Sequence, residues 1–166
     1  EYYSKLRTLR IIKEAQIGLV LVDSTTKVSK QDINIINTCL ENGTSAIVVF
    51  TKTDLSDKEI INNMIEELDR KLYFASYIPF LKISALKNKG IENIFKYIDS
   101  ILKERVKIIS ENKLMGIFKQ KEQSSYIYVS GKKYKLKFIK QIGINPPYFL
   151  VFSNMDISAK TNIKNY

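Results

Sequence analysis

The chain has 166 residues, 45% of them hydrophobic and 27% charged, with one cysteine and no histidine. That length buries the core of one full domain and leaves room for a small second one, while the composition excludes an intramolecular disulfide framework, histidine-based catalysis and a histidine zinc site. The net charge of +10 is uneven: residues 1–106 hold 16 Lys+Arg against 14 Asp+Glu, and residues 107–166 hold 11 against 3.

Residues 1–14 predict a helix, with Tyr2, Leu6, Leu9 and Ile12 on one side and Arg7, Arg10 and Lys13 on the other. The apolar run over residues 17–23 predicts a buried strand. Ser29 and Asp32 mark the start of a second helix, which Ile33, Ile36 and Leu40 carry to a stop at Asn42-Gly43. Cys39 lies within it and reads as a buried structural thiol. Residues 45–50 form a continuous apolar, β-branched run, the pattern of a parallel strand buried on both faces. Thr51-Lys52-Thr53-Asp54 follows. Ser56 and Glu59 then have capping-box spacing, Leu55 and Ile60 staple spacing, and Ile61, Met64, Ile65, Leu68 and Leu72 line the helix they open. A second short strand over residues 80–83 ends in Ser84-Ala85-Leu86. The loop over residues 87–90 leads into a helix striped by Ile91, Ile94, Phe95, Ile98 and Leu102.

Helices and strands alternating in this way predict an α/β domain with a parallel, doubly wound sheet over residues 1–106. A short connection near residues 107–111 separates it from a second unit, residues 107–166. That unit starts with a helix carrying Leu114, Ile117 and Phe118, broken by Gln123-Ser124-Ser125. A short strand over residues 126–130 turns at Gly131. In Tyr134-Lys135-Leu136-Lys137-Phe138 apolar residues alternate with lysines, which predicts one core face and one basic face. Pro146-Pro147 predicts an extended lead-in to a strand over residues 148–153. A turn over residues 154–158 and a helix beginning near Ala159 complete the reading.

The polar tetrad falls at the carboxyl end of a central strand, where open α/β sheets bind ligands. It matches the guanine-specificity motif of P-loop GTPases, [N/T]-K-x-D. A carboxylate at Asp54 accepts two hydrogen bonds, from N1–H and the exocyclic amine of guanine. Adenine presents a different edge and would leave the buried groups unpaired, a discrimination of about 10⁴–10⁵. By itself the tetrad also reads as a polar strand-to-helix turn. The strand, Ser84-Ala85-Leu86, loop, Gly90 and helix series resembles a second element of the same GTPases, whose backbone amide contacts the guanine oxygen. A phosphoacceptor signalling domain would need clustered acids at the strand ends, and only Asp23 and Asp54 qualify.

With these motifs, the chain resembles the bacterial tandem GTPase family EngA (Der), a large-subunit ribosome assembly factor. Leu19-Val20-Leu21-Val22-Asp23 with Gln31-Asp32, and the start Tyr3-Ser4 with Leu6-Arg7-Thr8-Leu9, are similar to stretches of that family. So are Ile109-Ser110-Glu111-Asn112-Lys113-Leu114 and Gly131-Lys132-Lys133-Tyr134-Lys135-Leu136-Lys137-Phe138. Gln141-Ile142-Gly143-Ile144-Asn145-Pro146-Pro147-Tyr148-Phe149, with Asn154 after it, is the most specific piece. The resemblance implies the back part of a GTPase domain over residues 1–106 and a KH-like α+β domain, incomplete at its C-terminus, over residues 107–166. It implies guanine-nucleotide (GTP/GDP) binding by Thr51, Lys52, Asp54, Ser84 and Ala85. Thr51 stands where Asn is usual, and Thr53 where Trp is common.

No G-x-x-x-x-G-K-[ST] and no D-x-x-G occurs in the sequence. The phosphate cradle, the Mg²⁺ ligands and the water-positioning switch of the family are therefore missing from these residues. No catalytic and no metal residue is assigned, and these residues alone are expected not to hydrolyse GTP. The excess charge of the last third points to RNA as partner, through Lys132, Lys133, Lys135, Lys137 and Lys140. A solvated Lys-rich surface is the alternative. A nucleotide-independent, basic RNA- or ribosome-binding module is the second functional reading, with the large ribosomal subunit and its RNA as partner. No GxxG loop occurs in this unit, so contact driven by shape and charge is expected rather than sequence-specific reading of bases. No apolar run reaches membrane-spanning length and no signal peptide is present. The expectation is a cytoplasmic monomer, or an organelle stroma if a leader preceded Glu1.

Overall fold

A computed structural model describes residues 2–120, 126–129 and 132–153, with side chains over residues 6–117 and 137–152. Its first compact unit is Glu1–Leu102 and its second Lys103–Tyr166.

In the first unit, β1 (Ile17–Asp23), β2 (Ser45–Thr51) and β3 (Phe80–Lys82) form a parallel sheet in the order β1-β2-β3. The central strand is β2. Its residues Ala46, Ile47, Val48, Val49 and Phe50 are all buried, as a parallel strand covered on both faces must be. Each of the four larger side chains contributes about 1.5–3 kcal/mol through burial. Alternate residues serve two separate cores. Val20, Val22, Val48 and Phe50 pack with Ile12 of α1 (Tyr2–Glu14), Ile36 and Cys39 of α2 (Lys30–Glu41), and Ile61, Met64 and Leu68 of α3 (Lys58–Lys71). Ile47, Val49, Leu81 and Ile83 pack with Ile91, Ile94, Ile98 and Ile101 of α4 (Ile91–Arg105). The sheet is thus doubly wound, as its apolar runs predict.

Local chemistry sets most boundaries. Ser29 caps α2 in a full capping box with Asp32, and Asn42 ends the helix ahead of Gly43 at φ 74°. Thr44 Oγ donates to Ile12 O at 2.6 Å, tying the end of α1 to the start of β2. Gly18 lies against the buried thiol of Cys39: a Cβ there would stand 3.1 Å from its sulfur. Burial raises the Cys39 pKa, which fits a structural thiol.

Two expectations fail around α3 and α4. The first turn of α3 forms no capping box: Asp57 occupies the N-cap and makes no side-chain bond. Ser56 Oγ instead donates to Ser24 O at 2.8 Å, and Leu55 and Ile60 stay exposed rather than forming a staple. A bond across the sheet edge has displaced the local one. On α4 the core stripe is Ile91, Ile94, Ile98 and Ile101, whereas Phe95 and Leu102 face solvent. These four isoleucines form one seam against Ile17, Ile47, Val49, Leu81 and Ile83.

The second unit contains α5 (Glu111–Gln120) and an antiparallel sheet β4-β5-β6, formed by Tyr126–Val129, Lys132–Gly143 and Tyr148–Ser153. Leu114 of α5 and Ile139 of β5 are buried. Strand β5 runs well past the predicted Phe138, and its alternation is broken: the pairing with β6 shifts between Leu136 and Phe138. Pro146-Pro147 lies in a tight turn rather than an extended lead-in, with a cis Asn145–Pro146 bond and Asn145 at φ 53°. Arg105 holds that turn: its Nε donates to Asn145 Oδ1 at 2.8 Å, and Asn145 N donates to Arg105 O at 2.9 Å. The expected turn at Gly131, the break over residues 123–125 and everything after Ser153 lie outside the described residues.

Candidate functional site

Parallel register brings the carboxyl ends of the three strands to one edge: Asp23 lies opposite Thr51, and Phe50 opposite Lys82. The tetrad leaves β2 there. Thr51 Oγ donates to Val22 O at 3.4 Å, a bond back into the sheet. Lys52 then adopts φ 55°, a left-handed conformation that costs a non-glycine residue about 1–2 kcal/mol. Surrounding bonds hold it. Leu55 N donates to Lys52 O at 2.9 Å, and Thr53 donates through both N and Oγ to Ile83 O, at 3.2 and 2.9 Å. Ile83 N in turn donates to Phe50 O at 2.8 Å. The tetrad is therefore stitched to the segment that carries Ser84.

Two carboxylates flank the edge, each held ionised. Lys52 Nζ sits 2.6 Å from Asp23 Oδ2, while Thr25 donates to Asp23 Oδ1 through its hydroxyl at 2.7 Å and its N–H at 2.9 Å. The Lys52 ammonium and then these Thr25 bonds lower the Asp23 pKa to about 2. The Ser84 hydroxyl holds the Asp54 carboxyl below the usual carboxylate range, helped by its own backbone N–H and the charge of Lys87. Ser84 is buried and its Oγ accepts from Lys87 N at 3.1 Å. Paired backbone bonds between Ser84 and Lys89, at 3.0 and 2.9 Å, close the loop, and Ala85 is exposed on it. Gly90 ends the loop at φ +80°, where a Cβ would lie 2.4 Å from Lys82 O.

The predicted residues thus fall into two linked groups. Asp54 lies near Ser84, whose hydroxyl lowers its pKa, with Ala85 next in the chain, while Lys52 extends over the edge toward Asp23, and Thr51 lies beneath. Asp23, Thr25 and Thr53 are positioning residues that sequence reasoning did not assign to the site. The signal for Asp23 was present, since equal strand lengths place it level with Thr51. An ionised carboxylate beside a buried hydroxyl and an exposed loop backbone can recognise a donor-rich planar edge. Among the described residues no group of three His, Cys, Asp or Glu side chains could hold a metal ion.

In the second unit Lys137 and Lys140 are exposed, and Lys140 Nζ pairs with Glu111 Oε1 at 3.3 Å. Lys132, Lys133 and Lys135 lie on β5, their side chains outside the described set. Among the described residues no helix is long and apolar enough to cross a membrane.

Residues 3–104 match the family of the Elongation factor Tu GTP binding domain, so the first unit is part of a P-loop GTPase-type domain. A bacterial selenocysteine-specific elongation factor, EF-Sec, superposes with TM-score 0.51 at 27% identity, over 57% of this chain and 17% of that one. GTPase Der of Idiomarina loihiensis is 31% identical over 155 residues, 93% of this chain and 32% of the relative. GTPase Der of Vibrio campbellii is 29% identical over 167 residues, 100% of this chain and 34% of the relative. The chain belongs to the EngA (Der) GTPase family, and it spans about a third of the length of these relatives.

Proposed function

We propose that these residues form the base-recognition side of a guanine-nucleotide site in an EngA/Der-type GTPase that acts in large-subunit ribosome assembly. Asp54 accepts from the guanine edge, the Lys52 stem packs over the base, and Ser84 and Ala85 close the pocket, Ala85 through its backbone. The single observation that carries this reading is the pair of bonds from Thr53 N and Oγ to Ile83 O, which ties the tetrad to the segment carrying Ser84 across a helix and a strand. Phosphate binding and hydrolysis are assigned to other parts of the GTPase; residues 1–166 alone bind guanine nucleotide weakly and do not turn it over. Residues 107–166 form a KH-like domain that contacts ribosomal RNA, a role supported by the concentration of lysine there.

Asp54→Asn tests the base contact in a full-length GTPase carrying this chain. The substitution replaces one acceptor by a donor that faces the exocyclic amine of guanine. Affinity for GTP is expected to fall and preference to move to xanthine nucleotide in a competition assay. Unchanged preference would remove Asp54 from the site.

A further inference from the structure

The register shift in β5 reorganises the lysine face of the second sheet. Leu136 pairs with Ser153 and Phe138 with Phe152, so two positions of β5 are spanned against one of β6. Neighbouring positions on β6 lie on opposite faces, and positions 136 and 138 therefore do so too. Ile139, next to Phe138, is buried, and Gln141 of the same parity accepts from Ile109 N and donates to Lys107 O in the segment leading into α5, which puts this parity on the α5 side. Phe138 thus belongs to the face turned away from α5. Lys140 and its partner Leu150 share that face with Phe138 and Phe152. Traced back along β5, positions 133 and 135 fall on it too, paired with positions 128 and 126 of β4, both tyrosine.

One sheet face therefore interleaves lysine with aromatic positions. Uninterrupted alternation would have assigned Phe138 to the core. The Phe138 and Phe152 rings lie 5.9 Å apart at centroid, tilted by 46°, and Phe152 and Leu150 are 47% and 43% exposed. Residues 107–166 carry 11 lysines against 3 acids. A ligand suited to such a face has a polyanionic backbone and accessible flat π surfaces. Single-stranded nucleic acid has both; a duplex hides its bases, and an acidic peptide leaves the rings unused. The long Lys140 side chain nonetheless reaches Glu111, the first residue of α5, at 3.3 Å; both side chains are about half exposed, so the pair exchanges readily for a phosphate contact.

We infer that the open face of the β4-β5-β6 sheet is a stacking platform for single-stranded RNA, with Phe138 and Phe152 under the bases and Lys140 on the backbone. This rests on the RNA-contact reading above and adds to charge a base-stacking contribution that is tolerant of sequence.

The test is fluorescence anisotropy of a labelled short oligouridine and of a matched RNA duplex, across a salt series. Phe138→Leu/Phe152→Leu keeps apolar bulk and removes both rings. It is expected to weaken oligouridine binding about tenfold or more while leaving the salt slope unchanged. Lys140→Gln is expected to reduce that slope by about 0.7. Phe152→Ser, a single change at an exposed position, gives the answer if the double variant fails to fold. Ring variants that bind oligouridine like wild type, or wild type that prefers the duplex, would overturn the platform. If lysine replacement still weakens binding in that case, the charge-driven reading stands without it. No RNA binding by wild type would overturn both.

Discussion

Gly90 offers a perturbation whose size follows from two independent costs. It adopts φ +80°, and a Cβ built there would stand 2.4 Å from the Lys82 carbonyl oxygen. An alanine in the left-handed region costs about 1–2 kcal/mol. The contact is with backbone, so relieving it means shifting the start of α4 away from the end of β3, and overpacking of this kind costs about 1–3 kcal/mol. Gly90→Ala should therefore destabilise the first unit by about 2–5 kcal/mol, a large share of the roughly 5–15 kcal/mol typical of a domain. With a urea slope of about 1–3 kcal/mol per M, the midpoint should fall by roughly 1 M or more in a titration followed by far-UV circular dichroism. The same shift would loosen the Ser84–Lys89 loop that borders Asp54. A midpoint unchanged from wild type would refute the close approach at Gly90.

Asp23→Asn removes the anchor of Lys52 and should lower guanine-nucleotide affinity in a full-length GTPase without changing its preference for guanine over xanthine; a changed preference would place Asp23 on the base itself. Because the Asp23 pKa lies at about 2, below its ordinary 3.8, its ion pair stabilises the fold above about pH 4 and is lost as pH falls through 2. A carboxyl-carbon NMR titration should give a midpoint near 2, and a midpoint near 4 would show Lys52 unpaired in solution. Replacing Lys133, Lys135 and Lys137 together by Gln should flatten the dependence of log K on log salt for ribosomal RNA by about two to three, at about 0.7–0.9 for each phosphate no longer neutralised. Identical slopes would mark these lysines as a solvated face.

The first unit was legible because its signals are local and mutually consistent. Residues 45–50 are apolar without a break, Ser29 and Asp32 are spaced as a capping box, and Asn42-Gly43 ends a helix; each is a short-range rule that the tertiary structure obeys. Asp54 and Ser84 were singled out through motif resemblance, and the bonds from Thr53 to Ile83 O that bring their segments together follow from parallel order, which no local rule supplies. Where local rules failed, a longer-range interaction had won. Ser56 binds Ser24 rather than capping α3, and Ile101 replaces Phe95 and Leu102 on the core face of α4. In the second unit the register shift at residues 136–138 has no sequence signature of its own: neither glycine nor proline marks it, and strict alternation of Lys with apolar residues argued against it. The turn at Asn145 was misjudged for the same kind of reason, since Arg105, forty residues away, holds it.

The central claim is that the edge carrying Asp54 and Ser84 recognises guanine. It is tested most directly by titrating the ¹⁵N-labelled 166-residue chain with GTP and, separately, with ATP, and following backbone amide shifts. GTP should move the amides of residues 51–54 and 84–86 with a dissociation constant of about 1 mM or weaker, the affinity of base contacts worth about 4 kcal/mol. ATP at equal concentration should leave those amides in place. Equal responses to both nucleotides, or GTP shifts confined to the lysines of the second unit, would contradict the assignment of a guanine site to this edge.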